Sequence, residues 1–306
     1  MHHPEAHRDG GASGVRAIEV RARVVIVADG LSGSSLRCLQ DEPERSGLER
    51  ADVERLPGLK PRIARGSWMG VATIGMGTDL GVSMPGPGSI AMHVAPGGYV
   101  GVVGLGRGLD RDRIAIAAAL DPRRARAQGG PIRLMQSILG ACSRSSDHLD
   151  PGGLTDDAQV RAWALMGTGL LTRSRRTIAL PGLMVVGDAA GYVEPFTGEG
   201  MTWAISGGLN AGGLGLEALR GERGMGLERL TGAWPALNAR AVARRQRVSI
   251  GVRALAHRPG LLGALIGNAG PRPIGEAIGR AASFAIRRAY APPPSARGGL
   301  LSGGVA

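Results

Sequence analysis

The sequence predicts an α/β chain, α+β overall, on three observations. Two short apolar runs each end in a turn of aspartate and glycine, a series of strand-length β-type runs lies between them, and a helical periodicity follows the second. The order is therefore a nucleotide-type strand, an antiparallel sheet, a second nucleotide-type strand with its helix, and then helices. With 306 residues, 43% of them hydrophobic, the chain is long enough to bury a core.

Val24-Val25-Ile26-Val27 has the length of a buried parallel strand and is closed by Ala28-Asp29-Gly30. Ser32 to Ser35 then reads as loop, and the charged, proline-bounded stretch Asp41 to Lys60 as a surface connection. Ser67 to Ile74, Ser89 to Val94, Tyr99 to Leu105 and Ile114 to Leu120 are β-type runs at a spacing that suits an antiparallel sheet. Pro131 to Cys142 is expected to be a helix with Ile132, Met135, Ile138 and Leu139 on one face. The second apolar strand is Leu183-Met184-Val185-Val186, ending in Gly187-Asp188. From Gly200, apolar Met201, Ala204, Ile205, Leu209, Leu216 and Leu219 recur at the spacing of a helix with one buried face. Helices are expected to continue to about Tyr290, broken at Pro259 and Pro271, with Pro292-Pro293-Pro294 in a disordered tail. These elements divide the chain into a cofactor domain of two pieces, 15–50 and 172–224, a substrate-side β-sheet domain inserted at 51–171, C-terminal helices at 225–290 and a tail at 291–306.

Charge excludes more than it identifies. The net charge of +12 is almost wholly arginine, with Lys60 the only lysine, and the arginines are dispersed. Aromatic residues make up 3% of the chain, too few for a stacking platform, so no nucleic-acid partner is expected. Arg240 to Arg253 is the one stretch suited to peripheral contact with anionic lipid, against the plainer reading of a solvated helix face. No apolar run is long enough to span a membrane, and Met1 to Gly14 holds no apolar targeting core, which reads as a cytoplasmic chain. Cys38 and Cys142 form no CxxC and are expected to be buried free thiols, and no metal site is predicted.

The chemistry-bearing stretch is Gly187-Asp188-Ala189-Ala190-Gly191 with Pro195-Phe196-Thr197-Gly198-Glu199-Gly200-Met201. Asp188 stands at the carboxyl end of a buried strand, where open α/β sheets bind ligands, and a carboxylate there accepts hydrogen bonds from sugar or ribityl hydroxyls. Ala189, Ala190 and Gly191 lack bulk, so backbone can approach a flat ligand. Gly198 to Met201 sets exposed N–H groups and a positive dipole end at the start of the long helix.

These residues resemble the second FAD motif of the flavoprotein hydroxylases and geranylgeranyl-reductase-like oxidoreductases. The resemblance implies a truncated FAD-binding Rossmann-like domain with an inserted antiparallel sheet and a helical C-terminus. It assigns cofactor binding to Asp29, Gly30, Gly187, Asp188, Ala189, Ala190, Pro195, Gly198, Glu199, Gly200 and Met201, with Asp188 on the ribityl chain and the helix start beside the flavin pyrimidine. Asp29-Gly30 resembles the group's Asp-Gly motif, on the pyrophosphate side. Ser34 and Arg37 extend that match only with one residue inserted. The layout resembles the group from about Val15 to Pro273, but the GxGxxG unit that opens such proteins is absent, as if an N-terminal piece were missing. Gly213-Leu214-Gly215-Leu216-Glu217-Ala218 has no strand before it and reads as helix-packing glycine.

The implied function is an FAD-dependent oxidoreductase, a monooxygenase or reductase with NAD(P)H as electron donor, acting on a hydrophobic organic substrate. The alternatives are a non-catalytic remnant and a basic surface-binding module. Pro96 to Gly101 lies where prenyl reductases carry GYxWxFP, and here glycine and valine replace the Trp and Phe-Pro, with Tyr99 kept as a candidate contact. His93 reads as a core histidine, and no catalytic acid–base residue is identified.

Overall fold

The computed structural model describes residues 20–43, 49–82, 85, 89–106, 112–142, 164–194, 196, 198, 200–224 and 226–269. Its strands in chain order are β1 (Val25–Val27), β2 (Arg62–Ile63), β3 (Met69–Met76), β4 (Ile90–Ala95), β5 (Gly98–Gly104), β6 (Arg113–Leu120), β7 (Met166–Leu170), β8 (Arg173–Ser174), β9 (Ala179–Leu180), β10 (Leu183–Val185) and β11 (Gly191–Tyr192). The helices are α1 (Ser34–Asp41), α2 (Arg50–Val53), α3 (Gly77–Leu80), α4 (Pro122–Ala127), α5 (Pro131–Cys142), α6 (Gly187–Ala190), α7 (Gly200–Arg220), α8 (Leu230–Asn238), α9 (Arg244–Ala256) and α10 (Pro259–Ala269).

Strands β1 and β10 lie side by side in parallel, with Val25, Ile26 and Val27 opposite Leu183, Met184 and Val185, and β9 closes this sheet antiparallel. The pair is covered along β10 and at Val27, whereas Val25 and Ile26 are 45% and 38% exposed, so the buried strand expected at Val24 to Val27 is buried only at its end, because β1 has no neighbour on its outer edge among the described residues. On one face Leu36 of α1 packs with Leu56 and Leu59, all buried, against Val27 and Val185. On the other, Ala211, Leu214 and Ala218 of α7 and Leu230 and Trp234 of α8 cover Met184 and Val186. Gly215 permits the close approach of α7, since a Cβ there would stand 3.3 Å from Val24 Cγ1 and 3.4 Å from Met184 Cε. That glycine does pack the helix, as its place within a helical run predicts.

The five-stranded sheet runs β4-β5-β6-β3-β7, antiparallel throughout. On one face Val71, Val100, Val102, Ile114, Ile116 and Leu120 are buried against Leu134, Met135, Ile138 and Leu139 of α5. Each such side chain contributes roughly 1.5–3 kcal/mol by leaving water. Pro131 begins α5 where a missing N–H is harmless, and Asp121 caps α4 by accepting from the Arg123 N–H at 2.8 Å. A second three-stranded sheet runs β11-β8-β2, so Arg62 and Ile63 pair with β8 rather than with the five-stranded sheet.

Several local expectations change. Ser32 to Ser35 is helical, split between a 3-10 turn at Gly30–Ser32 and α1. Asp41 to Lys60 is not a bare surface connection, because Leu56 and Leu59 in a 3-10 turn close the core beside α1. Their apolar side chains outweigh the charged composition around them. Cys38 is exposed and Cys142 half-buried, so neither is a core thiol. His93 is buried in β4. Residues 270–290 of the expected C-terminal helices and the 291–306 tail lie outside the described residues. Among the described residues no helix is long and apolar enough to cross a membrane, and no cluster of metal-ligating side chains occurs.

Candidate functional site

The carboxyl ends of β1 and β10 deliver the two motif turns to one place. The Val186 N–H donates to Val27 O at 2.9 Å, which keeps the strands in register up to the turns, and the Gly30–Ser32 turn packs against α6. Gly187 has φ +56°, a left-handed conformation that suits glycine, and a Cβ there would press to 3.2 Å on Ala204 of α7. The turn into Asp188 thus depends on both the missing side chain and the tight seat of the long helix.

A cleft of about 690 Å³ opens at this point, a size usual for small-molecule sites. Gly187, Asp188, Ala190, Tyr192 and Trp203 line one side, Arg62, Arg173, Arg175 and Arg176 another, and Asn238, Ala239 and Ile250 the wall from the C-terminal helices. Burial raises the Asp188 carboxyl above the ordinary carboxylate range. The Trp203 indole N–H is buried and has no hydrogen-bond partner among the described residues. The desolvated Asp188 acceptor on the cleft is what a hydroxyl-bearing ligand would satisfy.

Two of the arginines are braces. Arg175 donates through Nε to Ala189 O at 2.5 Å and through Nη1 to Leu59 O, tying α6 to the core beside α1. Arg173 donates to Leu31 O at 2.9 Å and to Leu170 O, tying the Asp-Gly turn to the end of β7. Burial lowers both guanidinium pKa values, and for Arg175 the Asp29 carboxylate opposes that shift. Asp29 itself accepts from the Ser35 N–H at 2.8 Å and so caps the turn into α1, while its Oδ1 is buried without a partner among the described residues. Sequence reasoning missed these arginines, whose signal was only their closeness to the motif strand.

The expected site residues therefore separate. Gly187, Asp188 and Ala190 line the cleft, Ala189 is buried beneath it, and Asp29 and Gly30 stand behind α6. Gly200 begins α7, and the face expected to be buried is open, with Met201 77% exposed beside exposed Ile205, Leu209 and Leu216, because the helix packs instead through the small residues Gly207, Ala211, Gly215 and Ala218 with Leu214. Gly198 is exposed and has φ +70°. Pro195 and Glu199 lie outside the described residues.

Next to the cleft, the face of the five-stranded sheet opposite α5 carries an apolar trough. One register row runs Met166, Ala72, Ala117, Gly101, Met92 across all five strands, and the next holds Ile74, Ala115, Val103 and Ile90. Small residues form its floor, while the exposed side chains of Met166, Ile74, Met92 and Ile90 form its rim. At the inner end, Val94, Tyr99 and Ala119 pack with Trp68, Leu171, Tyr192 and Phe196, which joins the trough to the cleft lining. Tyr99 and Phe196 meet edge to face at 4.9 Å.

No family model matches the sequence. Among solved structures, the flavin-dependent brominase Bmp2 superposes with a TM-score of 0.53 at 14% identity, over 90% of this chain and 60% of that one. A flavoprotein/dehydrogenase from Cytophaga hutchinsonii gives a TM-score of 0.52 at 13% identity, over 80% of this chain and 51% of that one. The fold is the one that these two structures share. In sequence, the digeranylgeranylglycerophospholipid reductase of Thermoplasma volcanium is 26% identical over 203 residues, 66% of this chain and 43% of that protein. The chain thus spans less than half the length of this curated relative. Within that fold the cleft lies at the carboxyl ends of the parallel strands, the usual ligand position of open α/β sheets.

Proposed function

We propose that the chain acts as an FAD-dependent oxidoreductase on an elongated apolar substrate, with the flavin in the cleft beside Asp188 and the substrate along the trough. The observation that carries this reading is the pairing of a polar cleft around the desolvated Asp188 carboxyl with a sheet face of small and apolar side chains that runs into it. When bound, the flavin would supply two-electron transfer, drawing on NAD(P)H and passing hydride to the substrate or activating oxygen. The chain's own residues bind and orient. Asp188 accepts hydroxyl hydrogen bonds, the Trp203 ring packs along the cleft wall, Arg62 and Arg176 at the exposed mouth attract phosphate, and the aromatic cluster excludes water where cleft and trough meet. The electron donor, and the choice between reduction and hydroxylation, belong to this proposal too.

The first test is a visible absorbance spectrum of the purified chain after incubation with FAD and desalting. A retained, resolved flavin band is expected, and a spectrum with no flavin would sink the proposal. The trough has its own test, because Ala117 lies at its centre. Ala117→Glu places a charge among apolar side chains and is expected to raise KM for long-chain apolar substrates about tenfold or more while leaving FAD retention unchanged. Equal KM values in wild type and variant would remove the trough from the substrate path.

A further inference from the structure

The cleft leaves one buried charged cluster unexplained. Glu194 follows the cleft-lining Tyr192 and Val193, and its side chain is 0% exposed. Both carboxylate oxygens lie 3.2 Å from His257 Nε2, and Oε2 lies 3.5 Å from Arg253 Nε. Both partners come from the C-terminal helices, Arg253 from α9 and His257 just past its end. Each is held from elsewhere as well. The Arg253 Nη2 group donates to Gly66 O at 3.2 Å, and the His257 ring stacks on Trp68 with centroids 3.5 Å apart and planes 5° from parallel. Three distant stretches of chain therefore converge on one carboxylate.

Stability alone accounts poorly for such a cluster. Burying an ion pair returns little net free energy, and apolar side chains of similar volume would join the same segments at least as well. Its location is more informative. Ile250, one turn before Arg253, is part of the cleft wall, and Tyr192, two residues before Glu194, faces it from the other side. Burial, and after it the charges of Asp188 and Glu194, raise the Tyr192 phenol pKa, so this ring lies within electrostatic reach of both carboxylates.

We propose that Glu194 is a positioning residue whose buried carboxylate, gripping Arg253 and His257, clamps α9 onto the 187–194 segment and so fixes the cleft wall that Ile250 provides. Only the identity of the ligand rests on the flavin reading. The geometry of the clamp does not depend on it. A ligand that needs the closed wall stabilises the clamp, and by linkage an intact clamp tightens the ligand.

The experiment is amide hydrogen exchange on the full chain with and without FAD, alongside FAD titration, for wild type, Glu194→Gln and His257→Gln. Without ligand, Glu194→Gln is expected to speed exchange about tenfold in residues 187–193 and 250–257 together, leaving α5, on the far face of the five-stranded sheet, unchanged. Its Kd for FAD should rise by about the same factor. His257→Gln retains the Glu194–Arg253 pair and strands no buried charge, so it reports the same pattern at lower amplitude even if Glu194→Gln fails to fold. Faster exchange confined to 253–257, or spread equally to α5, would overturn the clamp. So would FAD affinity within about twofold of wild type once α9 is released. Absence of FAD binding by the wild type, with the exchange pattern as expected, would count against the flavin reading alone.

Discussion

Trp234→Ala should lower the unfolding free energy by about 3–5 kcal/mol, read as an earlier urea midpoint at unchanged slope. Trp234 is fully buried and fills the space between α8 and the parallel strands, against Met184 and Val186. Its indole N–H also donates to Val185 O at 2.8 Å, the last carbonyl of β10 before the Gly187-Asp188 turn. Alanine would open a large cavity and leave that carbonyl without its partner. Trp234→Phe separates the two effects, since it keeps most of the volume and should cost only about 1–3 kcal/mol for the orphaned acceptor. Equal losses for Phe and Ala would mean that the hydrogen bond, rather than the packing, holds the strand.

At Asp188 the largest effect falls on ligand binding. Hydrogen bonds to a charged group are worth about 1.5–3 kcal/mol, so Asp188→Ala is expected to weaken FAD about 10- to 150-fold by titration. Stability should move the other way. Because burial raises the native carboxyl pKa, protonation favours the folded state. That contribution is fully present below the unfolded value near about 3.9 and is lost as pH rises through the higher native value. Asp188→Asn should therefore melt above wild type at neutral pH, and the difference should close on acidification. A constant difference across pH would show that Asp188 is not desolvated, and with that the cleft would lose its principal acceptor.

Sequence periodicity located the strands because their apolar runs are unmixed. Leu183 to Val185 is buried on both faces, and the four runs between Ser67 and Leu120 meet in a single antiparallel sheet with shifts of only a residue or two at their ends. It failed at Leu56 and Leu59, where two leucines in a charged, proline-bearing stretch carry no periodicity yet close a core. The cleft was legible at Gly187 and Asp188, where small residues and a carboxylate follow a strand. Its braces were not. Arg173 and Arg175 act through backbone carbonyls of Leu31, Leu59, Leu170 and Ala189, and carbonyl partners leave no mark on sequence. Glu194, His257 and Arg253 were equally hidden, since nothing in a linear spacing announces an ion pair across so many residues.

The parallel pairing of β1 with β10 also orders events in time. Val25 meets Leu183 only after the chain between them has turned back on itself, and a contact of that span closes late because the loop entropy must be met before the contact stabilises anything. In the five-stranded sheet the β4-β5 and β5-β6 hairpins have no such delay, and β3 meets β6 and β7 across shorter spans than the one from Val25 to Leu183. The nascent chain should therefore carry a formed apolar platform while the Asp188 turn is still being assembled, and the last step of folding is also the step that creates the cleft.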